Sequence, residues 1–172
     1  MNEPLSNHQL ESALGVGTKT ITYSELRNYA TIEELLPKIH DFKIILIRDR
    51  PSSGHWVNII RTGQDNYVYF NSFGQSYNQD LYLVSSTIRK MLGSYDNYLN
   101  DLLKGKNVEY NKKKFQSNYS DVCGRWVVLN IIMITKMLFS LNDFIKFIET
   151  KKKELDYSSY DELVLKLTEN IK

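Results

Sequence analysis

Between Val122 and Phe139 the chain reads as a helix that is apolar nearly all the way round, and such a helix has no face to give to water. It has to lie at the centre of a domain, with other elements wrapped around it. Its longest apolar run, Val127 to Phe139, is interrupted by Asn130, Thr135 and Lys136. That run is shorter than the roughly 20 residues that cross a bilayer, so no membrane contact is expected. With 172 residues, 42% of them hydrophobic and 24% charged, the chain can bury a core of its own and is expected to form one domain, 1–172.

The segments before the helix supply what wraps it. Residues 1–20 are polar, with Gly15 and Gly17, and are expected to be a leader or a short turn without the basic and apolar regions of a signal peptide. Thr22-x-x-Glu25 and Thr31-x-x-Glu34 have the form of capping boxes, and Leu26, Ile32, Leu35 and Leu36 give one broken helix between about residues 23 and 36, closed by Pro37. Three strands are expected at Phe42–Ile47, Trp56–Arg61 and Tyr67–Asn71, the last two joined by a polar turn of hairpin length. The first is a continuous β-branched run, which predicts burial on both faces. A helix interrupted near Gly93 should follow over 81–103, with Leu83 among its apolar positions, then a short strand at Val108–Tyr110. Helices near 142–153 and 159–171, the last capped by Ser159-x-x-Glu162, should cover the central one. The fold class is therefore α+β, a central sheet flanked by helices.

The only cysteine, Cys123, falls where the buried helix begins, with Ser120 or Asp121 placed to cap it. There the helix dipole and unpaired N–H groups favour a thiolate. A small buried hydrophobe is the alternative, since free cysteines are usually that. A single cysteine excludes an internal disulfide and a multi-cysteine zinc site. His55 lies at the entry to a strand behind Ser53-Gly54, and Asn71 ends the next strand, so in a hairpin the two become cross-strand neighbours and the amide can hold the imidazole. Gln116 stands in a loop that must wrap past the helix N-terminus, and its side-chain amide is a suitable oxyanion donor beside the Cys123 N–H. No His/Cys/carboxylate cluster has metal spacing, and no phosphate loop or dinucleotide fingerprint is present. His8 falls in the leader, and His40 between a helix and a strand. A net charge of +2 is too small to make nucleic acid the main partner. Lys112–Lys114 and Lys151–Lys153 read as solvated faces, with weak DNA contact as the alternative.

Gly54-His55-Trp56, a strand ending in Asn71-Ser72-Phe73-Gly74, then Gln116 seven residues before Cys123-Gly124, resembles the adenovirus-type (adenain-like) cysteine proteases and their relatives that cleave SUMO-like proteins. The order His, Asn, Gln, Cys is that of this group and the reverse of papain's. The Gln-to-Cys interval looks like the adenovirus branch. The resemblance covers about residues 42 to 140, and the size and the A/T-coded, Lys- and Asn-rich composition look like the maturation proteases of virophages and related virus-like DNA transposons. It implies a papain-like fold of the adenain/SUMO-protease type with the catalytic Cys at the N-terminus of the buried helix. The implied activity is that of a monomeric cysteine endopeptidase that cuts capsid or precursor proteins at Gly-containing sites during virion maturation, in the virion and the host-cell cytoplasm.

On this resemblance His55, Asn71, Gln116 and Cys123 are catalytic. Trp56 packs over a narrow substrate backbone, unless it is a core aromatic, and Gly124 admits the substrate main chain, unless it only allows tight packing. No metal or cofactor is implied, while an activating peptide or DNA remains open. Such a peptide would not be disulfide-linked, because no second cysteine exists. Asn71 stands where the family often has an acid, and it stabilises an imidazolium less, so a thiolate–imidazolium pair would lean on the helix end. The alternative functions are a deubiquitinase or SUMO-type isopeptidase, and an inactive protease-like binding module.

Overall fold

The computed structural model describes residues 4–15, 17, 20–79, 81, 84–94 and 96–171. Residues 1–3, 16, 18 and 19 of the expected leader, and Tyr82, Leu83 and Tyr95 of the expected helix, lie outside the described residues. The described part of the leader carries a helix. Ser6 and Gln9 form a reciprocal capping box for helix α1 (Asn7–Leu14), and Leu10 and Leu14 are buried, as is Leu5 ahead of the helix. The expectation of a leader or turn is thus corrected: Leu10, Ala13 and Leu14 make an apolar stripe at helical spacing that docks on the core.

Strand β1 (Thr20–Thr22), not anticipated, lies parallel to β2 (Phe42–Arg50). Between them the expected broken helix is two short pieces, a 3₁₀ turn at Tyr23–Asn28 and helix α2 (Ile32–Leu35). Both capping sequences act: Glu25 accepts from the Thr22 N–H, and Thr31 Oγ1 from the Glu34 N–H. Strands β3 (Ser53–Arg61) and β4 (Asn66–Phe70) complete an antiparallel meander, and β5 (Asn107–Tyr110) adds in parallel to β4. The sheet order is β1-β2-β3-β4-β5. Between β4 and β5 run helices α3 (Ser86–Leu92) and α4 (Tyr98–Leu102), separated at Gly93. At the β2–β3 turn the register shifts between Arg48 and Arg50, and Gly54 sits so close to β2 that a Cβ on it would lie 2.2 Å from the Ile47 carbonyl oxygen.

Alternation along the strands sends side chains into two cores. Ile44, Trp56, Ile60, Val68 and Phe70 face the layer of α1, α5 (Cys123–Thr135), α6 (Leu141–Glu154) and α7 (Tyr160–Leu167). Ile45, Ile47, Val57, Ile59, Tyr67 and Tyr69 face Tyr23, Leu26, Ile32, Leu35 and Leu99. The β-branched run of β2 is buried on both faces, as its sequence predicts. Helix α5 is the central helix, with Trp126, Val127, Val128 and Ile131 inaccessible to solvent. It starts one residue later and stops four residues earlier than its apolar pattern, and the backbone turns left-handed at Leu138. The architecture is mixed α+β, a five-stranded sheet flanked by helices.

Candidate functional site

His55 and Asn71 come together because the β3–β4 register places them there. Asn58 pairs with Phe70, so His55 and Asn71 are diagonal neighbours on one face, within reach of a side-chain bond. His55 Nε2 lies 2.7 Å from Asn71 Oδ1. The same oxygen accepts the Phe73 N–H at 2.9 Å, which fixes it as the oxygen of the amide. His55 Nε2 must then be the donor, and the lone pair of the neutral ring is left on Nδ1, the tautomer a general base needs. The Phe73 ring stacks on the imidazole, with centroids 4.5 Å apart, and holds it from a second side.

Asn71 is itself gripped by a residue that the sequence does not advertise. Asn111, wholly buried just beyond β5, accepts the Asn71 N–H at 3.1 Å and donates Nδ2 to the Asn71 carbonyl at 2.6 Å, in the manner of one more rung of a ladder. Ser72 is equally buried and donates to Gln116 Oε1 at 2.6 Å. Gln116 Nε2 donates to the Ser120 carbonyl at 2.5 Å, which leaves one N–H of that amide for another acceptor. Gly74 closes the turn with φ +78°, and a Cβ there would press on the Lys112–Lys114 backbone. No spacing rule connects Asn111 or Ser72 to their partners, and the only signal for Ser72 was its place inside the Asn-Ser-Phe-Gly motif.

Cys123 opens α5, but neither Ser120 nor Asp121 caps it. The N-cap is Val122, whose side chain has no hydrogen-bonding atom, while the Ser120 hydroxyl donates to the Ser117 carbonyl and Asp121 is exposed. The first N–H groups of the helix are therefore not taken up by a capping side chain. Leu5, Leu10 and Trp56 close over this end: a Cβ on Gly124 would lie 3.1 Å from Leu5 Cβ, 3.2 Å from Leu10 Cδ2 and 3.5 Å from Trp56 Cδ1. Cys123 and Trp56 are each 6% exposed, and Trp56 occupies the position of a core aromatic.

This burial reverses one expectation. The thiol of Cys123 is pushed up, not down, because desolvation outweighs the backbone N–H groups of Trp56, Gly124 and Cys123 itself, all of which favour the thiolate. His55 is half-buried and is pushed down to about 4 by desolvation, against the Asn71 bond and the more distant Asp49 charge. Both groups rest neutral. Among the described residues His55 and Cys123 share no hydrogen bond, and the sulfur meets the influence of the main chain one residue past His55, at Trp56. Three of the four predicted residues thus enter two contacts, His55 with Asn71 and Gln116 with Ser120 in the loop into α5, joined by the consecutive residues Asn71 and Ser72, while Cys123 opens the helix after that loop.

A cavity of about 520 Å³ lies elsewhere, between β5 and α6, and is lined by none of these residues. Lys113 pairs with Glu149 and Lys151 with Glu154, so parts of both lysine runs are engaged in ion pairs. His8 belongs to α1, and His40 adopts a left-handed backbone with φ 72°. Among the described residues, no group of three or more His, Cys, Asp or Glu side chains is arranged to hold a metal ion, and no helix is long and apolar enough to cross a membrane.

No protein-family model matches the chain. Among curated proteins it is similar to the uncharacterized protein V9 of Sputnik virophage, 28% identical over 173 residues that cover 95% of this chain and 93% of that one. Among solved structures it is similar to the central domain of the uncharacterized Lpg1148 protein from Legionella pneumophila, with a TM-score of 0.46, 11% identity and coverage of 81% and 80% of the two chains. The chain thus has a virophage protein as a relative along nearly its whole length.

Proposed function

We propose that this protein is a viral cysteine endopeptidase of the papain-like, adenain type. The observation that carries the reading is the tautomer: Asn71, its oxygen fixed by the Phe73 N–H, accepts Nε2–H of His55 and leaves Nδ1 as the base. Beside it stand an uncapped helix N-terminus bearing the lone cysteine and a glutamine with one N–H to spare. In the reaction His55 takes the thiol proton of Cys123, and the sulfur attacks the scissile carbonyl. The Cys123 N–H and the free N–H of Gln116 receive the oxyanion. His55 then protonates the leaving amine, and water hydrolyses the thioester to return the thiol. Hydrogen bonds of this kind commonly tighten only in the substrate complex, so the resting separation of thiol and imidazole is compatible with this role.

The virophage relative and the motif resemblance together support capsid or precursor proteins as substrates, cut at Gly-containing sites in the assembling particle and the host cytoplasm. The enzyme acts as a monomer, with an unlinked peptide or DNA as its activator if it needs one. The test is iodoacetamide alkylation from pH 4 to 9 read by intact mass, together with cleavage of the virus's own capsid proteins. Cleavage that is lost in Cys123→Ala and His55→Ala, with one mass increment per chain, is the expected result. Cleavage of ubiquitin or SUMO fusions instead would assign an isopeptidase. A cysteine whose alkylation ignores His55, in a protein that cuts nothing, would refute the proposal and leave a binding module.

A further inference from the structure

The geometry points to Ser72 as a positioning residue that holds the oxyanion-binding amide of Gln116, an inference that rests on the protease reading above. Gln116 is 2% exposed and Ser72 fully buried, so water does not serve the bond between Ser72 Oγ and Gln116 Oε1, whereas the Nε2 end of the amide is only part-buried. The Ser120 carbonyl can only accept, which forces Nε2 of Gln116 toward it and Oε1 toward Ser72. At that end the Ser72 hydroxyl is the donor, at 2.6 Å. The Ser72 carbonyl in turn accepts the N–H groups of Phe115 and Gln116, at 2.8 and 3.1 Å. Side chain and main chain of one residue thus fix both the loop and the amide plane.

Without the hydroxyl, Oε1 of Gln116 would be a buried acceptor with no donor, a state that drives the amide to turn toward another partner. Its spare N–H would then no longer point at the oxyanion. Because Ser72 follows Asn71, which bonds His55, and precedes Phe73, which stacks on it, three consecutive residues set both the base and the oxyanion donor. Displacing residues 71–73 would therefore disturb both catalytic elements together.

The experiment is a double-mutant cycle on peptide cleavage, with kcat and KM measured for Ser72→Ala, Gln116→Ala and the double variant. Loss of one oxyanion donor costs about 10²-fold in kcat, so Gln116→Ala should fall by that order and Ser72→Ala by about tenfold, with KM within about twofold. In the Gln116→Ala background, Ser72→Ala should cost less than about twofold. Losses that multiply, or that appear in KM alone, would overturn the inference. The equal-volume pair Ser72→Thr and Ser72→Val carries the same test where the alanine variant folds poorly. Threonine keeps the hydroxyl and should exceed valine by about tenfold in kcat, and equality would overturn the role. A wild-type protein without Cys123-dependent cleavage would refute the protease reading, and this inference with it. An active wild type with multiplying losses would refute the inference alone.

Discussion

Acidification should destabilise this protein through one ring. His55 is held neutral in the folded protein, its pKa lowered from 6.5 to about 4 by burial. In the unfolded chain it titrates at its ordinary value, so between these limits the unfolded state binds more protons. A depressed folded pKa contributes stability that is complete above pH 6.5 and is lost as the pH falls toward 4. At 1.36 kcal/mol per unit, the loss between pH 7 and pH 4.5 comes to about 2 kcal/mol. With a urea slope of roughly 2 kcal/mol per molar, the midpoint falls by about 1 M more in the wild type than in a variant without the ring. The assay is urea unfolding followed by the fluorescence of Trp56 and Trp126 at the two pH values, for the wild type and His55→Gln. The carboxylates with lowered pKa, such as Asp143 and Glu162, also lose stability in acid, but they are common to both proteins and cancel. Identical midpoint shifts in the two proteins would refute the claim that folding holds the imidazole neutral.

Three further outcomes are expected. Asn71→Ala should reduce kcat/KM by about tenfold, well short of the roughly 10³-fold loss in His55→Ala, since the first loses an orienting partner and the second the base itself; equal losses in folded variants would deny Asn71 that role. Gly124→Ala places a methyl 3.1 Å from Leu5 Cβ and 3.2 Å from Leu10 Cδ2. It should cost about 1–2 kcal/mol and lower Tm by about 2–6 °C, while adding Leu5→Ala should restore part of the loss and leave Cys123 faster to alkylate than in the wild type. Gly54→Ala drives a Cβ to 2.2 Å from the Ile47 carbonyl oxygen, on backbone that cannot swing aside as a side chain does. A loss of about 3 kcal/mol or more in urea unfolding is expected, and a neutral result would refute the close approach of Gly54 to β2.

What was legible in the sequence was whatever local periodicity encodes. The all-round apolar pattern of α5 forces it to the centre, and the period of two along β3 and β4, with a short polar turn between them, is enough to bring His55 to Asn71. What was not legible depends on partners far away in the chain. Leu10 and Leu14 lie among polar neighbours, and their stripe has meaning only against α5. The capping expectation failed because only the residue at the N-cap position can serve, and the helix begins at Cys123 with Val122 there, while the Ser120 hydroxyl is bonded to the Ser117 carbonyl. The expected thiolate failed for a related reason. A helix N-terminus lowers a cysteine that faces water, whereas Cys123 is 6% exposed in the core around α5, where desolvation prevails.

The seat of α1 also sets an order of events. This helix is made well before its partner, the first turn of α5, which emerges only after all five strands have followed. An eight-residue helix is marginal in water on its own, so Leu10 and Leu14 must wait, exposed, until that turn exists. The sheet meander and the helices that follow it join near neighbours and should form early, whereas the seat of α1 on α5 closes a loop that holds all five strands. Each newly made chain therefore passes through a stage at which Leu5 and Leu10 have yet to close over Gly124, and oxidants or electrophiles present during synthesis meet the first turn of α5 then more readily than at any later time.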